Sequence, residues 1–120
     1  MYDLINKTGE LASFPVPIPG LKGTVTAKVV NADYSTGPAM FLFTLEPGAW
    51  IPAHRHATAT ETFLLIDGEF IDNGTTYPAG TFFVVKPGTV HGPHSTGRGC
   101  RLLVIQTKAV DPTDFEIVNV

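Results

Sequence analysis

Turn-forming residues punctuate this chain from end to end and leave little room for long helices. The 120 residues include 12 glycines and 10 prolines, spread throughout rather than gathered in one tract. They fall in short turn signals: Pro47-Gly48, Asp67-Gly68, Asn73-Gly74, Ala79-Gly80 and Pro87-Gly88. Brief apolar runs lie between them, and no 3.6-residue apolar period lasts long enough to build a helix. That pattern predicts an all-β domain. The expected strands are Thr24–Val30, Met40–Glu46, Ala49–His54, Glu61–Ile66, Glu69–Asp72, Thr75–Tyr77, Thr81–Val85, Val90–His91 and Arg101–Thr107. Asn73-Gly74 predicts a tight hairpin with both turn residues at positive φ. The prolines of Phe14–Gly20 (FPVPIPG) force an extended backbone, read as an arm or edge strand.

Size and composition bound the function. A chain of 120 residues makes one domain with a real core. With 43% hydrophobic and 16% charged residues it is not a disordered chain. A net charge of -3 offers no basic footprint for nucleic acid. Apolar stretches such as Phe82–Val85 and Leu102–Ile105 are too short to span a membrane. The opening MYDLINKTGE lacks the basic-then-apolar pattern of a signal peptide. The single cysteine, Cys100, excludes an intramolecular disulfide and suggests a reducing compartment. A cytoplasmic location is therefore expected, with Cys100 structural. Three runs, Phe63–Ile66, Phe82–Val85 and Leu102–Ile105, are apolar at every position. A strand with one solvated face should alternate. These runs predict that both faces are covered, by a second copy of the chain or a partner's N-terminal arm, so a homodimer is expected, with cover by the chain's own arm as the alternative.

The chemistry concentrates between Gly48 and Gly68 (GAWIPAHRHATATETFLLIDG). His54 and His56 are two residues apart, so on an extended strand their imidazoles share a face while Arg55 takes the other. Glu61 follows, and His91 lies farther on. Three imidazoles and a carboxylate are a ligand set for one divalent first-row metal. Each imidazole must be neutral to bind, so metal should be lost as pH falls through the histidine range. Glu61 can ligate directly or orient a group at the metal.

Gly48, His54-Arg55-His56, Glu61 and Gly68 resemble the first cupin motif in full register: glycine, five residues, His-x-His, three or four residues, glutamate, six residues, glycine. The stretch Gly80–Ser95 (GTFFVVKPGTVHGPHS) resembles the second motif, with Gly80, Gly88 and His91 at its spacing. Lys86 stands where that motif has proline, which here is Pro87, and Ser95 where it has asparagine. The texture of the chain is similar to the cupin domain of ChrR-type anti-sigma factors and to the dihydroxyacetophenone and acetylacetone dioxygenases. The resemblance implies a double-stranded β-helix, or jelly-roll, barrel. It implies a single cupin domain: residues 1–23 an arm or edge strand, 24–107 the barrel and 108–120 a tail. It also implies that His54, His56, Glu61 and His91 converge on one metal, with Fe(II) favoured and zinc, manganese or nickel as alternatives.

The resulting expectation is a mononuclear metal enzyme that uses O₂ on a small ketone, diketone or phenolic substrate. A redox-neutral isomerase, lyase or hydrolase and a non-enzymatic metal-binding sensor are the rivals. Glu61 is the expected catalytic group. His94 is a candidate proton shuttle at the mouth of the site, though a solvent-facing loop histidine is the plainer reading. Phe63 and Leu65 share the strand face of Glu61 and should line the substrate pocket. Phe41, Phe43 and Gln106 are further candidates for that lining. Arg55 should form a surface or dimer salt bridge. Tyr34 and Tyr77 have no assigned place.

Overall fold

The computed structural model describes residues 1–33, 35, 37–107 and 114–119. Tyr34 and most of the expected tail lie outside them. After a short 3-10 turn at Thr8–Glu10 come β1 (Phe14–Pro15), β2 (Val25–Asn31), β3 (Ala39–Leu45), β4 (Trp50–Ile51), β5 (His54–Arg55) and β6 (Glu61–Asp72). They are followed by β7 (Thr75–Pro78), β8 (Phe82–Val85), β9 (His94–Ser95), β10 (Cys100–Gln106) and β11 (Glu116–Ile117). The main sheet runs β1-β2-β3-β10-β6-β9-β4, with β7 and β8 also paired to β6. β11 and β5 form a separate two-stranded ribbon.

One strand curls the sheet into a jelly-roll barrel. β6 is 12 residues long. Its first part pairs with β8 and, as far as Gly68, with β10; its second pairs with β7 and β9. Asp67-Gly68, expected to be a turn, instead lies inside this strand. The reason is local packing. Gly68 has φ 84°, and a side chain there would collide with the Gly99 carbonyl and come within 2.6 Å of Cys100 Cα. Glycine therefore serves a close strand approach, beside a register shift between Arg101 and Leu102. Asp67 accepts both Nε–H and Nη2–H of Arg101 on the neighbouring strand.

Two other expected strands are interrupted. The run Ala49–His54 splits into β4 and β5 around Pro52, which has no N–H to give a ladder. Val90–His91 reduces to one antiparallel bridge, His54 with His91. The Asn73-Gly74 hairpin has the expected backbone, with φ 47° and 82°.

The core gathers the inward residues of β2, β3, β6, β8 and β10, with Phe70, Leu45, Leu65 and Val25 the largest wholly buried side chains. Burying a leucine or phenylalanine contributes about 1.5–3 kcal/mol. The arm packs Val16, Ile18 and Leu21 against this core, while β1 pairs with β2 at the sheet edge. The arm does not cover the outer face. Leu64, Ile66, Phe82 and Val84 are exposed, at 36%, 39%, 60% and 55%. Expected two-sided burial is thus absent from Phe63–Ile66 and Phe82–Val85 in the single chain, while in Leu102–Ile105 the outward Leu103 and Ile105 are half-buried.

Candidate metal centre

Backbone pairing brings the histidines together. His54 and His91 exchange both backbone hydrogen bonds at 2.9 Å, which sets their ring centroids 4.1 Å apart. His56, two residues along, lies 5.1 Å from His54 and 5.5 Å from His91 by the same measure. Each ring is anchored through Nδ1. His54 Nδ1 is 2.8 Å from the Pro52 carbonyl, His56 Nδ1 is 3.0 Å from that of Asp114, and His91 Nδ1 is 3.5 Å from that of Thr89. A carbonyl only accepts, so Nδ1 donates and Nε2 keeps the lone pair that a metal needs.

Two of those lone pairs lack partners among the described residues. His56 Nε2 and His91 Nε2 are buried without a hydrogen bond. Glu61 faces both, with Oε2 at 3.6 Å from His56 Nε2 and Oε1 at 3.8 Å from His91 Nε2. These are spacings at which two donor atoms can meet one ion, each at about 2.1 Å. Gln106 Nε2 donates to Glu61 Oε2 at 3.0 Å, which leaves the buried Gln106 Oε1 without a partner. Among the described residues, two groups hold ligand atoms within 4.8 Å of one another and can bind a metal ion: His56, Glu61 and His91, and His54, His91 and His94. The four ligands expected from sequence do not fall in one group: His54 belongs to one triad, His56 and Glu61 to the other, and His91 to both.

Electrostatics keep the imidazoles ready. Burial is the main force holding His54 down to about 3, and His91 adds to it against the opposing Pro52 carbonyl. Burial also lowers His91, reinforced by His94 and opposed by Glu61. Both rings stay neutral at neutral pH, and His54 keeps its lone pair well below the usual histidine range.

The structure moves His94 inward. It is 5% exposed, so the expectation of a solvent-facing loop residue fails. β9 pairs with both β4 and β6, which carries His94 under the sheet. Its ring lies 5.1 Å from His91 and 5.5 Å from His54. His94 Nδ1 sits 2.7 Å from Asp72 Oδ1, a short contact off the ideal hydrogen-bond line. Burial would raise the Asp72 carboxyl, but His94 and the Gly92 N–H outweigh it and hold it below its ordinary value.

Asp114 was not legible in the sequence. It is buried and accepts from the N–H groups of Ala57, Thr58 and Ala59 at 2.6, 3.0 and 3.2 Å, and from the Thr58 hydroxyl at 3.1 Å. Burial opposes its charge, but these donors keep its pKa below the usual carboxylate value. It thereby fixes the loop between His56 and Glu61, while its own carbonyl orients His56. The one available cue was a loop rich in N–H groups that needed an acceptor. Next to it, Phe115 stacks on His54 with centroids 4.1 Å apart.

A cavity of about 470 Å³ reaches this centre. Phe41, Phe43, Phe63, Phe70 and Phe115 form much of its wall, together with Phe14, Val16 and Ile18 of the arm. The polar groups on the wall include His54, His56, Glu61, His94 and Gln106. Leu65 does not line it: at 0% exposure it has no surface to offer. Arg55 forms its salt bridge within the chain, donating through Nε and Nη2 to Glu116 and tying β11 to β5. Tyr77 packs edge-on against Phe83. Burial pushes the Cys100 thiol up to about 11, so it stays protonated.

A jelly-roll barrel with histidines and a carboxylate gathered inside is the architecture of a cupin. The model of the ChrR cupin-like domain matches residues 12–110, and the chain belongs to that family. No curated protein matches the chain in sequence. Among solved structures it is similar to the polyketide cyclase RemF from Streptomyces resistomycificus, with TM-score 0.78 and 19% identity over 100% of this chain and 87% of that one. A predicted oxalate decarboxylase from Thermotoga maritima gives 0.73 and 19%, over 86% and 97%. An acetylacetone dioxygenase from Acinetobacter johnsonii gives 0.66 and 17%, over 100% and 85%. At these identities the likeness concerns the fold. Among the described residues no helix is long and apolar enough to cross a membrane.

Proposed function

We propose that this protein is a mononuclear metal-dependent cupin enzyme, with Fe(II) as the favoured metal, that uses O₂ on a small ketone, diketone or phenol. The observation that carries the reading is the pair of buried, unpartnered Nε2 atoms facing one carboxylate where an apolar cavity meets polar groups. Four neutral or negative donors without a cation between them are costly to bury, and a divalent ion offsets that cost. His54, His56, His91 and Glu61 would hold it. Iron there supplies Lewis acidity toward a substrate oxygen and redox access to O₂. The phenylalanine wall excludes water and accepts an uncharged carbon skeleton. Gln106 fixes Glu61 through Nε2 and presents Oε1 to a substrate hydroxyl or enol O–H. Glu61 Oε1 can accept a proton from the substrate. Similarity to an acetylacetone dioxygenase supports this substrate class.

The same centre loaded with zinc, manganese or nickel is the second reading, favoured by the likeness to a cyclase and a decarboxylase. Elemental mass spectrometry on untagged protein, followed by O₂ uptake with β-diketones and phenols, separates the two. Stoichiometric iron with substrate-dependent O₂ uptake is the expected result. Turnover without O₂ would select the second reading, and metal-free protein from iron-fed cells would remove both. The same proposal includes a homodimer through the outer face of Leu64, Ile66, Phe82 and Val84. In the strand register Leu64 faces Phe82 across the ladder, so these side chains form one apolar patch that a lone chain leaves in water.

A further inference from the structure

The four-ligand set implied by the two motifs leaves one buried histidine unexplained. His94 is as buried as His54 and lies on the wall of the same cavity. Its environment is largely apolar: the Phe70 ring tilts over it at 5.0 Å, and Phe63 stands edge-on at 6.3 Å. A histidine packed there for structure alone needs partners for both nitrogens. At Nδ1 that need is not met: Asp72 Oδ1 stands 2.7 Å away but off the hydrogen-bond line, and the buried nitrogen keeps no hydrogen-bond partner among the described residues. Asp72 is itself held in place, since its Oδ1 accepts the Gly92 N–H at 3.1 Å. A carboxylate beside Nδ1 is the arrangement by which carboxylates orient metal-binding imidazoles. A ligand nitrogen of His94 falls within 4.8 Å of those of both His54 and His91.

We propose that His94 is a further metal ligand, with Asp72 as its positioning residue. The inference rests on the metal reading above and changes its content. His54, His91 and His94 then form an all-imidazole side of the centre, opposite a side made by His56 and Glu61, with His91 common to both. His94 stands three residues beyond His91, inside the second motif's span but at none of the positions that the motif specifies.

Co(II) is the probe, added to the metal-free full chain. Its affinity is read by chelator competition and its ligand field by visible absorption. His94→Ala should weaken Co(II) binding by about tenfold or more and alter the absorption bands. Asp72→Asn, which keeps the imidazole but loosens its orientation, should weaken binding by about 10- to 100-fold. Thermal melting of the metal-free variants checks that each is folded. If His94→Ala does not fold, Asp72→Asn decides. Wild-type affinity and bands in a folded variant would overturn the role of His94 while leaving the metal reading intact. A wild-type protein that binds no Co(II) would overturn both.

Discussion

The two faces of one sheet meet opposite fates. On β6, Phe63 and Leu65 are 4% and 0% exposed, while their immediate neighbours Leu64 and Ile66 are 36% and 39% exposed. β8 repeats the contrast, with Val85 buried and Phe82 and Val84 in solvent. All of these residues are apolar, so hydrophobicity does not separate the faces; strand parity and the curl of the sheet do. The inner face closes over a cavity and a polar centre. The outer face has the composition of a core without its cover. Burial at these positions of the single chain is therefore set by strand parity rather than by composition.

Substitutions that treat the two faces differently test this contrast. Leu65→Ala on the inner face should cost about 3 kcal/mol in denaturant melting, because a wholly buried leucine leaves a cavity behind. A cost under about 1 kcal/mol would mean that the core is not packed as described. At the polar end of the same interior, Asp114→Ala removes the acceptor of four hydrogen bonds. It should cost about 2 kcal/mol and also weaken Co(II) binding through His56. Full stability with loosened metal would confine Asp114 to orientation.

A pH titration of the metal-free protein probes the buried imidazoles directly. The folded His54 pKa of about 3 lies below the unfolded value of 6.5. The unfolded chain therefore takes up protons first as pH falls. Stability is unaffected above pH 6.5 and declines between 6.5 and 3 by roughly 1 kcal/mol per pH unit. The lowered His91 adds to the same slope. A flat profile from pH 7 to 5 would show that these rings are not shielded from water. The smallest effect belongs to the outer face. Phe82→Ser should change the stability of the dilute monomer by about 0.5 kcal/mol or less, yet shift the light-scattering mass from two chains to one. A wild-type protein of single-chain mass would remove the homodimer.

Much of the centre was written in local spacing. His54, His56, Glu61 and His91 were recoverable because two residues along a strand share a face and the two motifs fix the rest. Strands β2, β3, β8 and β10 were recoverable to within a residue or two, since glycine and proline mark where ladders end. What escaped depended on contacts distant in sequence. Asp114 reaches a loop more than fifty residues earlier, and nothing in its own neighbourhood announces that. Gly68 reads as a turn from its dipeptide and as a strand only once Gly99 and Cys100 lie against it. His94 seemed exposed because its surroundings are rich in glycine and proline, whereas the pairing of β9 with β4 and β6 buries it. Leu65 had the right parity to line the pocket but has no surface left to do so.

One stretch of the cavity wall lies on a part of the chain separate from the polar centre. Phe14, Val16 and Ile18 belong to an arm that meets the barrel at its edge strand, whereas the histidines sit on β5, β9 and the turns beside them. An arm of this kind can be exchanged or resized while the reactive centre keeps its anchors. Changes confined to Phe14, Val16 and Ile18 would reshape that side of the cavity and leave the hydrogen bonds that hold the histidines in place.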